Sequence, residues 1–400
     1  MRFTSPFPDT MGSSHEGVAP VADLDSASSE QVRLNIATVL PPSEAFAEGE
    51  AGAIALLVQR MADGMETVLG QAPQGQPFSG VRFVPVKPLL RPYSLSKRYA
   101  LAVAQRLKYI KPDLIEVHNR PDVALALHGL LPNVPIMLVL HNDPCSMRAA
   151  RSAAEREKLG CAVAVVGVSE WVRGRFVSQG VKACVRVLPN SLDLSVLPPR
   201  PAVRERTILF AGRIVADKGA DAFVEACARV LPRHLEWRAE MIGADRFGPD
   251  SPETPFLVAL RPKAQAAGII MRGYQPHASV LQAMARAGIV VVPSRWAEPF
   301  GMVALEAMAC GAAVLVSAHG GLPDVVADAG SYCDPDALEN FITALDHLVQ
   351  DTSLRHQLGQ RGMHRALAFD TATIRSKRLA LHEDIVREWQ WRGTFQKQCR

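Results

Sequence analysis

None of the seven cysteines, Cys145, Cys161, Cys184, Cys227, Cys310, Cys333 and Cys399, belongs to a C-x-x-C pair. That excludes the common zinc sites and offers no disulfide framework, so a reduced, cytosolic setting fits best. Long apolar runs are missing as well. Residues 1–30, MRFTSPFPDTMGSSHEGVAPVADLDSASSE, contain no continuous apolar core, which excludes a signal peptide or membrane helix there. Their Ser, Gly, Pro and Asp content predicts a disordered leader. No later run reaches membrane-spanning length, so the chain is expected to be cytoplasmic, either soluble or peripheral on the inner face of a membrane. The net charge of +4 is too small to imply a nucleic-acid partner. Finally, G-x-G-x-x-G is absent after the first expected strand, which speaks against a nicotinamide dinucleotide site.

What is present is an α/β pattern. Four hundred residues, 48% of them apolar, suffice for two domains that each bury a core. VRLNIATVL (32–40) reads as a first strand, and a helix follows with Ile54, Leu57, Val58 and Met61 on one side. DLIEVH (113–118), IMLVL (136–140) and AVAVVGV (162–168) are short apolar runs, each ending in polar residues: His118–Asn119, His141–Asn142–Asp143 and Ser169–Glu170. Strands with polar tips, separated by helical stretches, describe parallel sheets whose C-terminal edges carry ligand-binding groups. Pro198, Pro199 and Pro201, with Arg200, Arg204 and Arg206, form the expected linker.

The most informative stretch is Pro293–Asp324. An apolar run, Ala287–Val292, precedes it as a buried strand; a helix is expected from Pro299 through Ala309, then a strand over Ala312–Val316. The helix start offers unpaired N–H groups near Phe300 to Val303 as an anion cradle, and Gly301 lets a ligand approach the backbone. Glu298 lies in the loop before the helix and Glu306 within it. Singly, each glutamate reads equally well as a solvated helix-end charge. Together, flanking an anion cradle, they suit a sugar attached to a phosphate. Earlier, TILFA (207–211) leads into GRIVADK, where Gly212 permits a tight exit from the strand. Arg213 and Lys218 stand where two cations could pinch a diphosphate.

Two glutamates separated by seven residues, inside EPFGMVALEAMACGAAVLVS, resemble the signature of the family-4 retaining glycosyltransferases, glycosyltransferases group 1. The resemblance runs in order over residues 32–378. It implies the glycosyltransferase-B fold, two Rossmann-like parallel-sheet domains facing a cleft. Residues 31–197 would be the acceptor-side domain, 198–206 the linker and 207–378 the nucleotide-sugar domain. Residues 379–400 would form a last helix that crosses back to the first domain. Trp389 and Trp391 would anchor that crossing, or belong to an amphipathic surface helix.

By the same resemblance, Glu298 contacts the donor sugar's hydroxyls and Glu306 the nucleotide ribose. His141, in VLHND, faces the donor sugar, and His118 comes second, toward the acceptor. IIMRGY (269–274) resembles the loop whose backbone reads the nucleobase, which adds Gly273 and Tyr274. The expected catalytic set is His141, Arg213, Lys218 and Glu298. The expected donor-binding set is Gly212, Arg213, Lys218, Gly273, Tyr274, Glu298, Phe300, Gly301, Met302 and Glu306. No cofactor is implied beyond a nucleotide-diphospho-sugar as donor substrate, and no metal. The chain departs from the pattern after the first strand, where Gly49 and Gly52 stand without the usual adjacent glycine pair, and at Ser191, which replaces a common glycine.

The implied activity is retaining, metal-independent transfer of a hexosyl group from a UDP- or GDP-linked sugar to a glycan or lipid-linked acceptor. Cell-surface polysaccharide or lipopolysaccharide synthesis would be its setting. A sugar-nucleotide epimerase or hydrolase on the same fold is the alternative, and a nicotinamide-dependent oxidoreductase is a weaker one. One stretch bears on the acceptor. Val81–Pro112 has no acidic residue but carries Arg82, Lys87, Arg91, Lys97, Arg98, Arg106, Lys108 and Lys111, with Tyr93, Leu95, Tyr99, Leu101 and Leu107 interleaved. It is either a solvated face or a surface that meets anionic lipid or a pyrophosphate-linked acceptor.

Overall fold

The computed structural model describes residues 33–90, 92–245 and 253–398, with side chains to 391; the expected leader and Arg91 lie outside them. From Leu34 onward the chain forms one unit. Its first sheet is built from β1 (Ile36–Val39), β2 (Thr67–Gly70), β3 (Arg82–Pro85), β4 (Leu114–His118), β5 (Ile136–Leu140), β6 (Ala164–Gly167) and β7 (Val185–Val187). The order is β3-β2-β1-β4-β5-β6-β7. Helices α1 (Ala53–Met61), α2 (Leu95–Ile110), α3 (Pro121–Leu130), α4 (Ala153–Ala162) and α5 (Glu170–Val177) connect the strands.

The second sheet comprises β8 (Glu205–Ala211), β9 (Arg238–Ile242), β10 (Ile270–Met271), β11 (Ala287–Val292), β12 (Ala313–Ser317) and β13 (Ser331–Cys333), ordered β10-β9-β8-β11-β12-β13. Its helices are α6 (Ala220–Val230), α7 (Pro255–Ala266), α8 (His277–Arg286), α9 (Met302–Ala309), α10 (Leu322–Val326), α11 (Leu338–Gln350) and α12 (Thr352–Ala366). Among the described residues every strand pairing in both sheets is parallel. That is why the strands read as continuous apolar runs: helices cover both faces, so both faces are buried. The strand β11, AGIVVV, is buried at every position.

Both sheets reverse their winding at one point, between β1 and β4 in the first and between β8 and β11 in the second. Open α/β sheets bind ligands in the crevice at such points. The final helix, α13 (Thr371–Gln398), starts well before residue 379 and returns to the first sheet. There Arg378 meets Glu66 and Glu116, Arg186 pairs with Glu388, and Trp389 packs edge-on against His128 at 6.2 Å. Trp391 is 70% exposed. One helix start differs from the sequence expectation. Helix α9 begins at Met302 rather than Pro299, because Gly301 takes φ +107°, outside the helical region, and caps the helix instead of joining it.

Candidate active site

The loops after β8 and β11 are fastened together. Gly219, with φ +69°, ends the turn that carries Lys218, and a Cβ there would lie 1.9 Å from the Pro293 carbonyl oxygen. The amides of Arg295 and Trp296 both donate to the Asp217 carbonyl at 2.9 Å. Arg295 adds side-chain bonds to Asp221 at 2.6 Å, Asp336 at 2.6 Å and the Ala216 carbonyl at 2.9 Å. The turn is therefore rigidly placed relative to the glutamate-bearing loop.

On that frame Lys218 Nζ hydrogen-bonds the Glu298 carboxylate and sits 4.7 Å from the Trp296 ring centre. So the structure joins two residues 80 positions apart that the sequence placed in one donor site. Arg213 is exposed at the exit from β8, directly after Gly212. The loop after β12 closes the other side. The Gly321 amide donates to the Glu298 carbonyl at 2.6 Å, and a Cβ on Gly320 would lie 2.2 Å from the same oxygen.

Glu306 goes to a different partner. It is 7% exposed, and its Oε1 accepts a hydrogen bond from His277 Nε2 at 2.8 Å. That bond outweighs burial and raises the imidazole above the ordinary histidine range. Phe300 is 4% exposed and its ring packs edge-on against Phe369, so only its backbone can serve a ligand. Met302 is half-buried as the first residue of α9, whose leading N–H groups have no intrahelical acceptor. Gly273 and half-exposed Tyr274 line a cavity of about 370 Å³ with Ile214, Gly243, Leu257 and Arg272. It adjoins Gly212, since a Cβ on Gly243 would lie 1.8 Å from the Gly212 carbonyl oxygen.

On the facing sheet His118 and His141 stand at the tips of β4 and β5, with His118 Nδ1 2.9 Å from His141 Nε2. Asn119 accepts from the His141 amide at 3.0 Å. Burial, then the neighbouring His118, pushes the His141 imidazole down to about 3, so it is neutral near pH 7. The two sheets meet beside the site. Ser169 Oγ, which caps α5, donates to the Pro299 carbonyl at 2.6 Å, and the Trp171 amide donates to Asp324 at 2.9 Å.

Sequence reading alone missed His277, Arg295, Trp296 and Ser169. Of these only Ser169–Glu170, a polar tip after a strand, left a usable signal. The others act through partners far along the chain, and spacing does not show those partners.

Residues 199–365 match the model for glycosyl transferases group 1, and residues 62–196 that for glycosyltransferase family 4. The Bacillus subtilis (strain 168) protein YtcC, assigned as a glycosyltransferase, is 28% identical over 309 residues, 71% of this chain and 75% of that one. The D-inositol 3-phosphate glycosyltransferase of Kribbella flavida is 32% identical over 203 residues, 47% of this chain and 48% of that one. The lipopolysaccharide 1,2-N-acetylglucosaminetransferase of Salmonella typhimurium is 25% identical over 288 residues, covering 68% and 72%. Among solved structures, sucrose-phosphate synthase from Thermosynechococcus elongatus superposes with a TM-score of 0.71 at 17% identity, over 88% of this chain and 100% of that one. Anabaena HepE in complex with UDP and glucose gives 0.69 at 19%, over 87% and 99%. With two parallel-sheet domains of the glycosyltransferase-B fold and matches over both, this chain belongs to the family-4, group 1 glycosyltransferases.

Proposed function

We propose that this glycosyltransferase moves a hexosyl group, with retention, from a nucleotide-diphospho-sugar to a glycan or lipid-linked acceptor and needs no divalent metal. The observation that carries this reading is the Lys218–Glu298 pair at the switch point of the second sheet, beside the N-terminus of α9. It puts a cation for a phosphate and a carboxylate for sugar hydroxyls within contact of each other. The donor would replace this internal pair with bonds of its own: phosphate to Lys218 and Arg213, hydroxyls to Glu298. Glu306 would take the ribose and the cavity at Gly273 and Tyr274 the base. The Anabaena relative in fold was solved with UDP-glucose, which makes a uridine donor the first to try.

In the transfer, the bond from the anomeric carbon to the diphosphate oxygen breaks and its electron pair goes to the phosphate. The acceptor hydroxyl attacks from the same face, and its proton passes to the departing phosphate. Negative charge would grow beside Lys218 and the leading amides of α9, whose places are fixed, so little reorganisation is needed there, and Arg213 would add a second cation. Neutral His141 offers the sugar a hydrogen-bonding group without adding charge. Two domains around the cleft exclude water and limit donor hydrolysis. The test is a thermal-shift panel of UDP, GDP and ADP sugars followed by transfer assays after exhaustive chelation. The expected donor stabilises by about 2.7 kcal/mol at a hundredfold excess over its dissociation constant. Complete loss of transfer on chelation, restored by magnesium or manganese, would overturn metal independence.

The acceptor is proposed to be presented at an anionic membrane surface, in cell-surface polysaccharide or lipopolysaccharide synthesis. Supporting this, α2 and the loop before it expose Leu90 (87%), Tyr93 (50%), Leu95 (50%) and Tyr109 (87%) alongside Lys97, Arg106 and Lys108. No helix among the described residues is long and apolar enough to cross a membrane. Arg98 does not join this face: it is half-buried and donates to the Leu89 carbonyl at 3.1 Å. Changing Lys97, Arg106 and Lys108 to Gln should therefore abolish flotation with anionic liposomes at low salt, each charge contributing about 1 kcal/mol. Equal flotation of wild type and variant, or none by wild type, would make the stretch a solvated face.

A further inference from the structure

Beneath the His118–His141 pair lies a set of buried polar groups that the transfer chemistry does not use. Glu116 and His118, two apart on β4, project to one side of the strand. Glu116 is 2% exposed and His118 3%. His118 Nε2 lies 2.8 Å from Glu116 Oε1, close but without the alignment of a full hydrogen bond. The other carboxylate oxygen is taken from the far end of the chain. Arg378 reaches it at 2.9 Å and His382 Nε2 at 2.7 Å. These two residues, four apart on α13, share a helix face. Arg378 also grips Glu66 at 2.6 Å and 2.8 Å. Thr38, paired with Glu116 in the β1–β4 ladder, completes the cluster. Burial favours the neutral acid, yet the Arg378 guanidinium and the two histidines together hold the Glu116 carboxyl well below the usual range. Glu116 is thus a fixed anion.

An anion accepts hydrogen bonds and donates none. Placed against His118 Nε2, it requires the proton of a neutral His118 ring on that nitrogen, which leaves Nδ1 with a lone pair. His141 Nε2, 2.9 Å away, must then carry its own proton and donate it to His118. His141 Nδ1 is left without a proton, on a ring that the Asn190 side chain also bonds. The pattern runs one way from Glu116 to His141, and Arg378 and His382 keep Glu116 from turning aside.

We propose that Glu116, held by Arg378 and His382 of α13, is a positioning residue that sets the tautomers of His118 and His141 and so fixes the hydrogen-bonding role that neutral His141 offers the bound sugar. The part about the reaction rests on the functional reading above; the tautomer assignment does not. Helix α13 thereby ties the last segment of the chain to the site on the first sheet.

The experiment is ¹⁵N-resolved NMR of the histidine rings in the full-length protein, joined to steady-state transfer assays. In wild type both His118 and His141 should be Nε2–H tautomers. Glu116→Gln supplies an amide that can donate, so His118 should move toward Nδ1–H and His141 with it. Its kcat should fall on the order of tenfold to a hundredfold, as for other imidazoles that lose an orienting carboxylate, with donor KM within about twofold. Glu116→Asp keeps the charge and should restore the wild-type tautomers in part. Nucleoside diphosphate binding by calorimetry serves as the folding control. If Glu116→Gln does not fold, the wild-type tautomers and those of His382→Gln decide, the latter loosening one arm of the grip. A wild-type His141 carrying its proton on Nδ1 would overturn the proposal, as would tautomers or kcat unmoved in a folded Glu116→Gln. If no donor supports transfer, the functional reading fails, while the ring nitrogens still decide the positioning claim.

Discussion

On the first sheet, Arg378, Glu66 and Glu116 are each 3% exposed in their side chains, and their bonds join positions 262 and 312 residues apart. On the second sheet, Lys218 and Glu298 keep 20% and 12% exposure, and Arg213 is exposed. Both regions pair cations with carboxylates, yet the physics differs. Charges sealed from water cannot exchange partners, and losing one strands the others at high cost. Charges that keep some contact with water are partly screened, so a ligand can more readily replace their pairing. The buried cluster should therefore govern folding and geometry, the rim cluster binding and turnover.

The comparison breaks most visibly at Arg378. Arg378→Ala leaves two buried carboxylates without their cation and should destabilise the protein by about 3–5 kcal/mol in denaturant titrations. A variant within about 1 kcal/mol of wild type, inside the range for an exposed pair, would erase the distinction. Next come the rim cations. Arg213→Ala and Lys218→Ala should keep near-wild-type stability while losing roughly 2–4 kcal/mol of transition-state stabilisation, read as kcat in transfer assays. Folded variants with wild-type turnover would remove these residues from the site.

A smaller effect separates the two glutamates. Glu306→Ala should weaken binding of the free nucleoside diphosphate by about 1.5–3 kcal/mol, the scale of hydrogen bonds to a charged group. Glu298→Ala should leave that binding nearly intact and lower turnover instead. Calorimetry showing the reverse would exchange their roles.

The smallest test is pH. His141 is held down to about 3, so between that value and the unfolded value of about 6.5 the unfolded chain binds the extra proton. Its contribution makes stability fall as pH drops through that window. The depressed Glu116 adds to the fall once the unfolded carboxyl begins to protonate. His277, raised by Glu306, has the opposite sign. Its contribution is fully present below about 6.5 and is lost as pH rises through the higher folded value. Unfolding curves between about pH 5 and 8 should thus flatten on the acid side in His141→Gln and on the alkaline side in His277→Gln. Identical pH dependence in both variants would show that neither histidine is coupled to folding as described.

The alternation of apolar runs and helices determined two parallel α/β sheets, because a strand covered on both faces must be apolar throughout. GRIVADK and the paired glutamates marked the second sheet's crevice because their functional groups sit in loops near the strand ends, where short-range chemistry fixes them. Within that reach the sequence located loops that the structure brings together, but not the start of α9 or the Arg295 and Trp296 bonds that fasten those loops. Gly301 permits either a helical or a left-handed backbone, so its neighbours decide which it adopts. Tertiary structure alone decided the rest. Glu116 stands inside DLIEVH, which reads as one short apolar run, and nothing in the sequence sets Arg378 or His382 apart. Their meaning appears only when α13 folds back over β4 and excludes water, since burial converts three ordinary polar side chains into a fixed assembly. Sequence spacing carries no record of a contact made across 262 residues.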